Sequence, residues 1–104
     1  MQTTIGLIGL GVMGENLALN LERNGFSVTG FDLDDNKRNS FAKRTEGLNA
    51  CAAPTLKDLV ANLQLPRRVW LMVPAGAPVD AVLSELRPLL SAGDVVIDGG
   101  NTLY

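Results

Sequence analysis

Four short clusters in this sequence have the residue types and spacing to hold a phosphorylated ligand. The first is Gly9-Leu10-Gly11-Val12-Met13-Gly14, a G-x-G-x-x-G pattern between an apolar run and a helical one. In that setting Gly9 permits a tight turn, Gly11 lets a pyrophosphate approach the main chain, and Gly14 lets helix and strand lie close together. The helix that follows adds unpaired N–H groups and a partial positive charge at its N-terminus. The same glycines can also form a strand-to-helix turn and nothing more, so the pattern takes its meaning from its flanks.

The second cluster is Asp32-Leu33-Asp34, after the next apolar stretch. An acidic residue about twenty positions past such glycines accepts hydrogen bonds from the adenosine ribose hydroxyls. Its carboxylate also repels a 2′-phosphate, by on the order of a few kcal/mol at intermediate dielectric. NAD is therefore the expected cofactor, with NADP disfavoured. Two other readings stand beside this one. Asp32 can be a plain helix cap, as Asp34 and Asp35 can, and Lys37 or Arg38 can swing toward a 2′-phosphate. The remaining clusters, Val73-Pro74-Ala75-Gly76 and Asp98-Gly99-Gly100-Asn101, each end a later strand. Val73, Pro74 and Ala75 are expected along the cofactor, Pro74 through packing or its carbonyl because it has no N–H. Asn101 offers a donor and an acceptor to nicotinamide or substrate. A connector and a tight turn are the plainer alternatives.

These clusters need elements that bring them to one edge. Ile5–Ile8 reads as a strand buried on both faces. Met13, Leu17 and Leu21 recur at helical spacing, and Asn24-Gly25 ends that helix. Phe26–Phe31 is the second strand. A helix capped by Asp34 or Asp35 runs through Arg44, anchored by Phe41 and Ala42. Asn49–Ala53 is a short third strand. Thr55-Leu56-Lys57-Asp58 resembles a capping box, opening a helix with Leu56, Leu59, Val60 and Leu63 inward. Val69–Val73 is the fourth strand; Val79, Val82, Leu83, Leu86 and Leu90 mark a helix that Pro88 kinks or ends. Val95–Ile97 is the fifth strand. Trp70, Met72 and Met13 read as core, Arg67-Arg68 as a solvated strand entrance, and Cys51 as a structural thiol. Strands alternating with helices predict an α/β fold, a doubly wound, Rossmann-type parallel sheet of five strands. A complete fold of this kind carries another strand, so residues 1–104 read as one domain broken off before completion.

Bulk properties remove several function classes. Apolar residues at 46% and charged residues at 19% are those of an ordinary globular domain. A net charge of -2 without a basic run gives no footprint for nucleic acid or an anionic membrane. Cys51 is the only cysteine and histidine is absent, which excludes an internal disulfide, an imidazole base and a histidine metal ligand. No metal site is expected. The apolar start lacks positive charge and is broken by glycines, unlike a signal peptide or membrane span; the cytoplasm is the expected compartment.

Three segments together, Gly9 through Asn20, Pro66 through Val73 and Gly93 through Asn101, closely resemble the 6-phosphogluconate dehydrogenases, and the last is the most specific of them. The resemblance covers nearly the whole chain. It implies that Gly9, Leu10, Gly11, Val12, Met13 and Gly14 meet the pyrophosphate, that Asp32, Leu33 and Asp34 lie near the adenosine ribose, that Val73, Pro74 and Ala75 run along the cofactor, and that Asn101 reaches substrate and nicotinamide. NADP-using members typically carry Asn-Arg-Thr or Asn-Arg-Ser where this chain has Asp32-Leu33-Asp34, and Val-Lys-Ala where it has Val73-Pro74-Ala75. Both departures resemble the shorter, NAD-preferring branch. The family oxidises the 3-hydroxyl of 6-phosphogluconate and decarboxylates the product to ribulose 5-phosphate, in the pentose phosphate pathway, without a metal. Its lysine base and glutamate acid stand in a later, helical catalytic domain, so these 104 residues alone are expected to be inactive and the whole enzyme to be a homo-oligomer. A related β-hydroxyacid dehydrogenase and a non-catalytic NAD-binding module are the alternatives. The fifth strand is expected to leave an exposed sheet edge open to non-native pairing.

Overall fold

A computed structural model of the chain describes residues 2–73 and 77–98. Five strands, β1 (Ile5–Ile8), β2 (Val28–Phe31), β3 (Ala50–Ala52), β4 (Arg68–Leu71) and β5 (Val95–Asp98), form one parallel sheet in the order β3-β2-β1-β4-β5. Four helices alternate with them: α1 (Val12–Arg23), α2 (Asp35–Arg44), α3 (Leu56–Ala61) and α4 (Ala77–Leu86), the last followed by a 3-10 turn at Arg87–Leu89 that holds Pro88. The doubly wound α/β fold expected from the alternation is the fold observed. β1 is central because it pairs with β2 on one side, Ile8 opposite Phe31, and with β4 on the other, Ile8 opposite Leu71.

Each face of the sheet has its own core. Leu7, Leu10, Val28, Ala50, Ala18 of α1 and Phe41 of α2 pack on one side. On the other, Ile8, Phe31, Val69 and Leu71 meet Leu56, Leu59, Val60 and Leu63 around α3, with Val79, Val82 and Leu86 of α4. Helix α3 follows its sequence signal closely: the Thr55 hydroxyl accepts from the Asp58 N–H at 3.1 Å, and all four apolar residues are buried. Two glycines within strands are set by helix approach. A Cβ on Gly6 would crowd Leu59 and Leu63, and one on Gly30 would crowd the Phe41 ring and Leu10.

Some expectations change. Phe26 and Ser27 stand outside β2, and Phe26 is exposed. Phe41 alone anchors α2, since Ala42 faces outward. Met13 is 67% exposed rather than core, because it sits in the first turn of α1, beyond the sheet. Arg67 is an anchor rather than a solvated residue: it donates to the Val60 carbonyl and the Asp94 carboxylate, with only 19% of its side chain exposed, while Arg68 is exposed as expected. Among the described residues β5 forms a sheet edge, with Val95 and Ile97 exposed on it. Trp70 Nε1 is buried without a hydrogen-bond partner among the described residues.

Candidate functional site

The chain passes from β1 to β2 to β3 outward on one side of the centre, then returns to place β4 on the other. The reversal lies between β1 and β4, and in open α/β sheets the crevice outside the carboxyl ends at such a point binds ligands. The strand registers put Gly9, Asp32 and Met72-Val73 at that edge, next to Asp98 of β5. Main-chain bonds tie them together: Gly9 donates to the Phe31 carbonyl at 2.8 Å and Met72 to the Ile8 carbonyl at 2.7 Å.

The three glycines meet three different demands. Gly9 has φ of +104°, and a Cβ there would lie 2.5 Å from the Met72 carbonyl oxygen. A Cβ on Gly14 would overlap the Gly9 carbonyl oxygen. Gly11 differs from both: its conformation is extended, and a Cβ would meet nothing within 4 Å. Among the described residues no contact explains Gly11, and its main chain is open to the approach of a ligand. Gly11 is also the N-cap of α1 and supplies no side-chain cap. The first N–H groups of a helix have no intrahelical partner, so they stay available to an anion. The charge at this end is favourable to phosphate as well.

Asp32 shows how the second cluster works. Its Oδ2 accepts from the Leu10 N–H at 2.7 Å and its Oδ1 from the Asp34 N–H at 2.9 Å. The carboxylate thus pins the glycine loop to the end of β2, and each oxygen keeps a lone pair for a further donor. It does not cap α2. That role falls to Asp34, whose carboxylate accepts from the Asn36 N–H at 2.8 Å. Leu10 is buried and contributes only main chain to this edge, but Val12 (79%), Met13 (67%) and Leu33 (77%) are exposed around it. Three exposed apolar side chains beside an uncapped helix end suit the flat, partly apolar surface of a dinucleotide. Val73 is half-buried and lies beside Gly9. Pro74, Ala75 and Asn101, expected to line the ligand, fall outside the described residues.

Sequence reasoning missed the loop clamp from Asp32 to Leu10 and the setting of Arg38. The Arg38 guanidinium donates from Nη1 to the Asp32 carbonyl at 2.6 Å, stands 5.7 Å from the centre of the Phe31 ring, and pairs through Nη2 with Asp35. Arg44 pairs with Glu15 at 2.9 Å, linking α2 to α1. Among the described residues, no group of three or more acidic or cysteine side chains is placed to hold a metal ion.

Comparison with known proteins agrees with this geometry. Residues 4–104 match the family described as the NAD binding domain of 6-phosphogluconate dehydrogenase. The chain is 57% identical over 100 residues to the decarboxylating 6-phosphogluconate dehydrogenase of Synechococcus elongatus, covering 95% of this chain and 21% of that protein. It is 44% identical over 100 residues to the NADP(+)-dependent enzyme of Bacillus subtilis, covering 96% and 21%. Among solved structures, Plasmodium falciparum 6-phosphogluconate dehydrogenase, studied with NADP+ and with 6-phosphogluconate, superimposes with a TM-score of 0.88 at 38% identity, over 97% of this chain and 22% of that one. A Mycobacterium tuberculosis 3-hydroxyisobutyrate dehydrogenase does so with a TM-score of 0.78 at 26% identity, over 96% and 32%. The chain spans about a fifth of the length of the curated relatives it matches.

Proposed function

The chain belongs to the family of the NAD binding domain of 6-phosphogluconate dehydrogenase, and from that premise we propose that it supplies the cofactor-binding part of an enzyme that oxidises and decarboxylates 6-phosphogluconate to ribulose 5-phosphate. The dinucleotide supplies the hydride acceptor. The residues of this chain bind and orient it. The α1 N-terminus and the main chain at Gly11 hold the pyrophosphate, and Asp32 accepts from the adenosine ribose. Val12, Met13 and Leu33 shield the apolar parts, while Val73 with Pro74 and Ala75 borders the path to the nicotinamide. Asn101 addresses nicotinamide and substrate. The proton-transfer steps belong to groups outside these 104 residues, which alone are inactive in this proposal. The observation that carries it is Gly11, an open position on an uncapped helix end at the sheet's switch point.

The proposed cofactor is NAD. Asp32 is the supporting residue, because a 2′-phosphate beside its carboxylate meets like charge in place of a guanidinium. Calorimetric titration of the chain with NAD and NADP in parallel tests both parts. NAD is expected to bind tighter by about tenfold, the scale of a single like-charge contact in partly solvated surroundings. Tighter binding of NADP would overturn the cofactor assignment while keeping the site. Binding of neither would overturn the site itself. In Asp32→Asn the preference for NAD is expected to shrink, and loss of the charge on the Leu10 clamp to weaken both ligands.

A further inference from the structure

Arg38 presents an unresolved pairing of charge and place. Its guanidinium is bonded to the main chain of Asp32, the residue proposed above to accept from the ribose. Arginine is also the side chain best shaped to grip a phosphate. Two contacts position it, the Asp32 carbonyl and the Phe31 ring beneath. The third contact is of another kind. Asp35, one turn earlier on α2 and exposed, pairs with Nη2 and cancels the charge. A cation therefore stands at the end of β2 next to the ribose position, already claimed by a carboxylate. Asp35 therefore opposes a 2′-phosphate by occupying its natural partner, while Asp32 and Asp34 keep the edge negative.

We propose that Asp35 is a specificity-determining residue: by pairing with Arg38 it withholds the guanidinium that a 2′-phosphate requires, so that rejection of NADP rests on Asp35 together with Asp32. This rests on the dinucleotide site proposed above. It assigns Arg38 a latent role, that of a phosphate ligand in waiting, and makes the exposed pair on the first turn of α2 the latch that keeps it so. The latch is weak by construction, because an exposed ion pair holds its partners loosely. A single neutral substitution suffices to open it.

The test is a double-mutant cycle on the NADP-to-NAD affinity ratio, measured by calorimetry for the wild-type chain, Asp35→Asn, Arg38→Ala and the double variant. In Asp35→Asn the ratio is expected to rise by roughly fivefold, the scale of one released charge-assisted contact near a surface. Arg38→Ala in the wild-type background should move it less than twofold, and in the Asp35→Asn background should cancel most of the rise. Thermal midpoints check that each variant folds. An unchanged ratio in Asp35→Asn overturns the proposal. So does a rise that survives loss of Arg38, which would mean that Asp35 acts by repulsion alone. Failure of the wild-type chain to bind either dinucleotide has a different signature, and removes the parent reading along with this one.

Discussion

Gly11→Ala is expected to fold as well as the parent and to lose dinucleotide binding, whereas Gly14→Ala is expected to lose the fold of the loop. The two residues stand three positions apart in one motif, yet their surroundings differ. At Gly11 an added methyl enters open space, in a backbone conformation any residue adopts. The folded state is unharmed, and the unfolded chain loses some freedom, so stability should stay level or rise by about 0.5 kcal/mol. The same methyl fills the place proposed for the pyrophosphate, and affinity for NAD should fall at least tenfold, as calorimetry would show. At Gly14 the methyl collides with the Gly9 carbonyl oxygen. Main-chain atoms cannot rotate aside as a flexible side chain can, so α1 must lift from β1, at a cost of about 2–4 kcal/mol. That amounts to a fall in the thermal midpoint of roughly 10 °C or more. Full NAD affinity in Gly11→Ala would refute the pyrophosphate placement. A stable Gly14→Ala would show that the contact between loop and helix yields more easily than its geometry implies.

The second large effect lies at the opposite end of the sheet. Asp94 accepts from the Arg67 N–H at 2.7 Å, the Ser91 N–H at 2.8 Å and the Arg67 guanidinium at 3.1 Å, joining the entrances of β4 and β5. Asp94→Ala leaves two N–H groups and a partly buried guanidinium without their acceptor, a loss on the order of 2–3 kcal/mol. NAD affinity should be untouched once the variant is folded, because the carboxyl edge is remote from this end. A drop in affinity without a drop in thermal midpoint would contradict this division of labour.

The same site gives a pH dependence with a definite sign. The Ser91 N–H, foremost, and the N–H and guanidinium of Arg67 favour the ionised carboxylate; together they outweigh burial and hold Asp94 below its ordinary value of 3.8. The unfolded chain therefore binds the proton more readily than the folded one. The contribution is complete above the unfolded value and disappears as pH falls through the lower folded value. Thermal midpoints of wild type and Asp94→Ala should differ most near pH 7 and converge as the pH falls through the lowered folded-state value of Asp94.

Much of this was legible in the sequence because the signals were local. The glycine spacing, Thr55 with Asp58, and the continuous apolar strands each point to one structure regardless of distant partners. For that reason the apolar run Ile5–Ile8 and the strand β1 coincide. The misreadings have a shared cause, dependence on residues far along the chain. Arg67 looks like a surface residue until Asp94, twenty-seven positions later, is folded against it. Met13 fits the helical stripe of Leu17 and Leu21 but sits a turn beyond the sheet it was expected to cover. Asp32 follows the second apolar stretch, as the spacing requires, yet its bond to Leu10 depends on how far β1 and β2 extend relative to one another, and spacing alone does not specify that. Arg38 reads as a possible phosphate ligand, and its pairing with Asp35, three residues earlier on the expected helix, is a local signal that the spacing also offers.

The central position of β1 also governs the order of events on the ribosome. Of the five strands β1 is made first, and β2 can cover one of its edges soon after. The other edge waits for β4, whose first residue follows the end of β1 by sixty positions. At translation rates of about 5–20 residues per second, that edge stays unpaired for roughly 3–12 s in a nascent chain. An apolar strand left open so long is an invitation to pair with the wrong neighbour. Gly6 interrupts this one and Gly9 ends it, and glycine disfavours the extended stacks that aggregation requires. Residues needed in the finished protein for close packing and for a turn therefore also protect it while it is still being made.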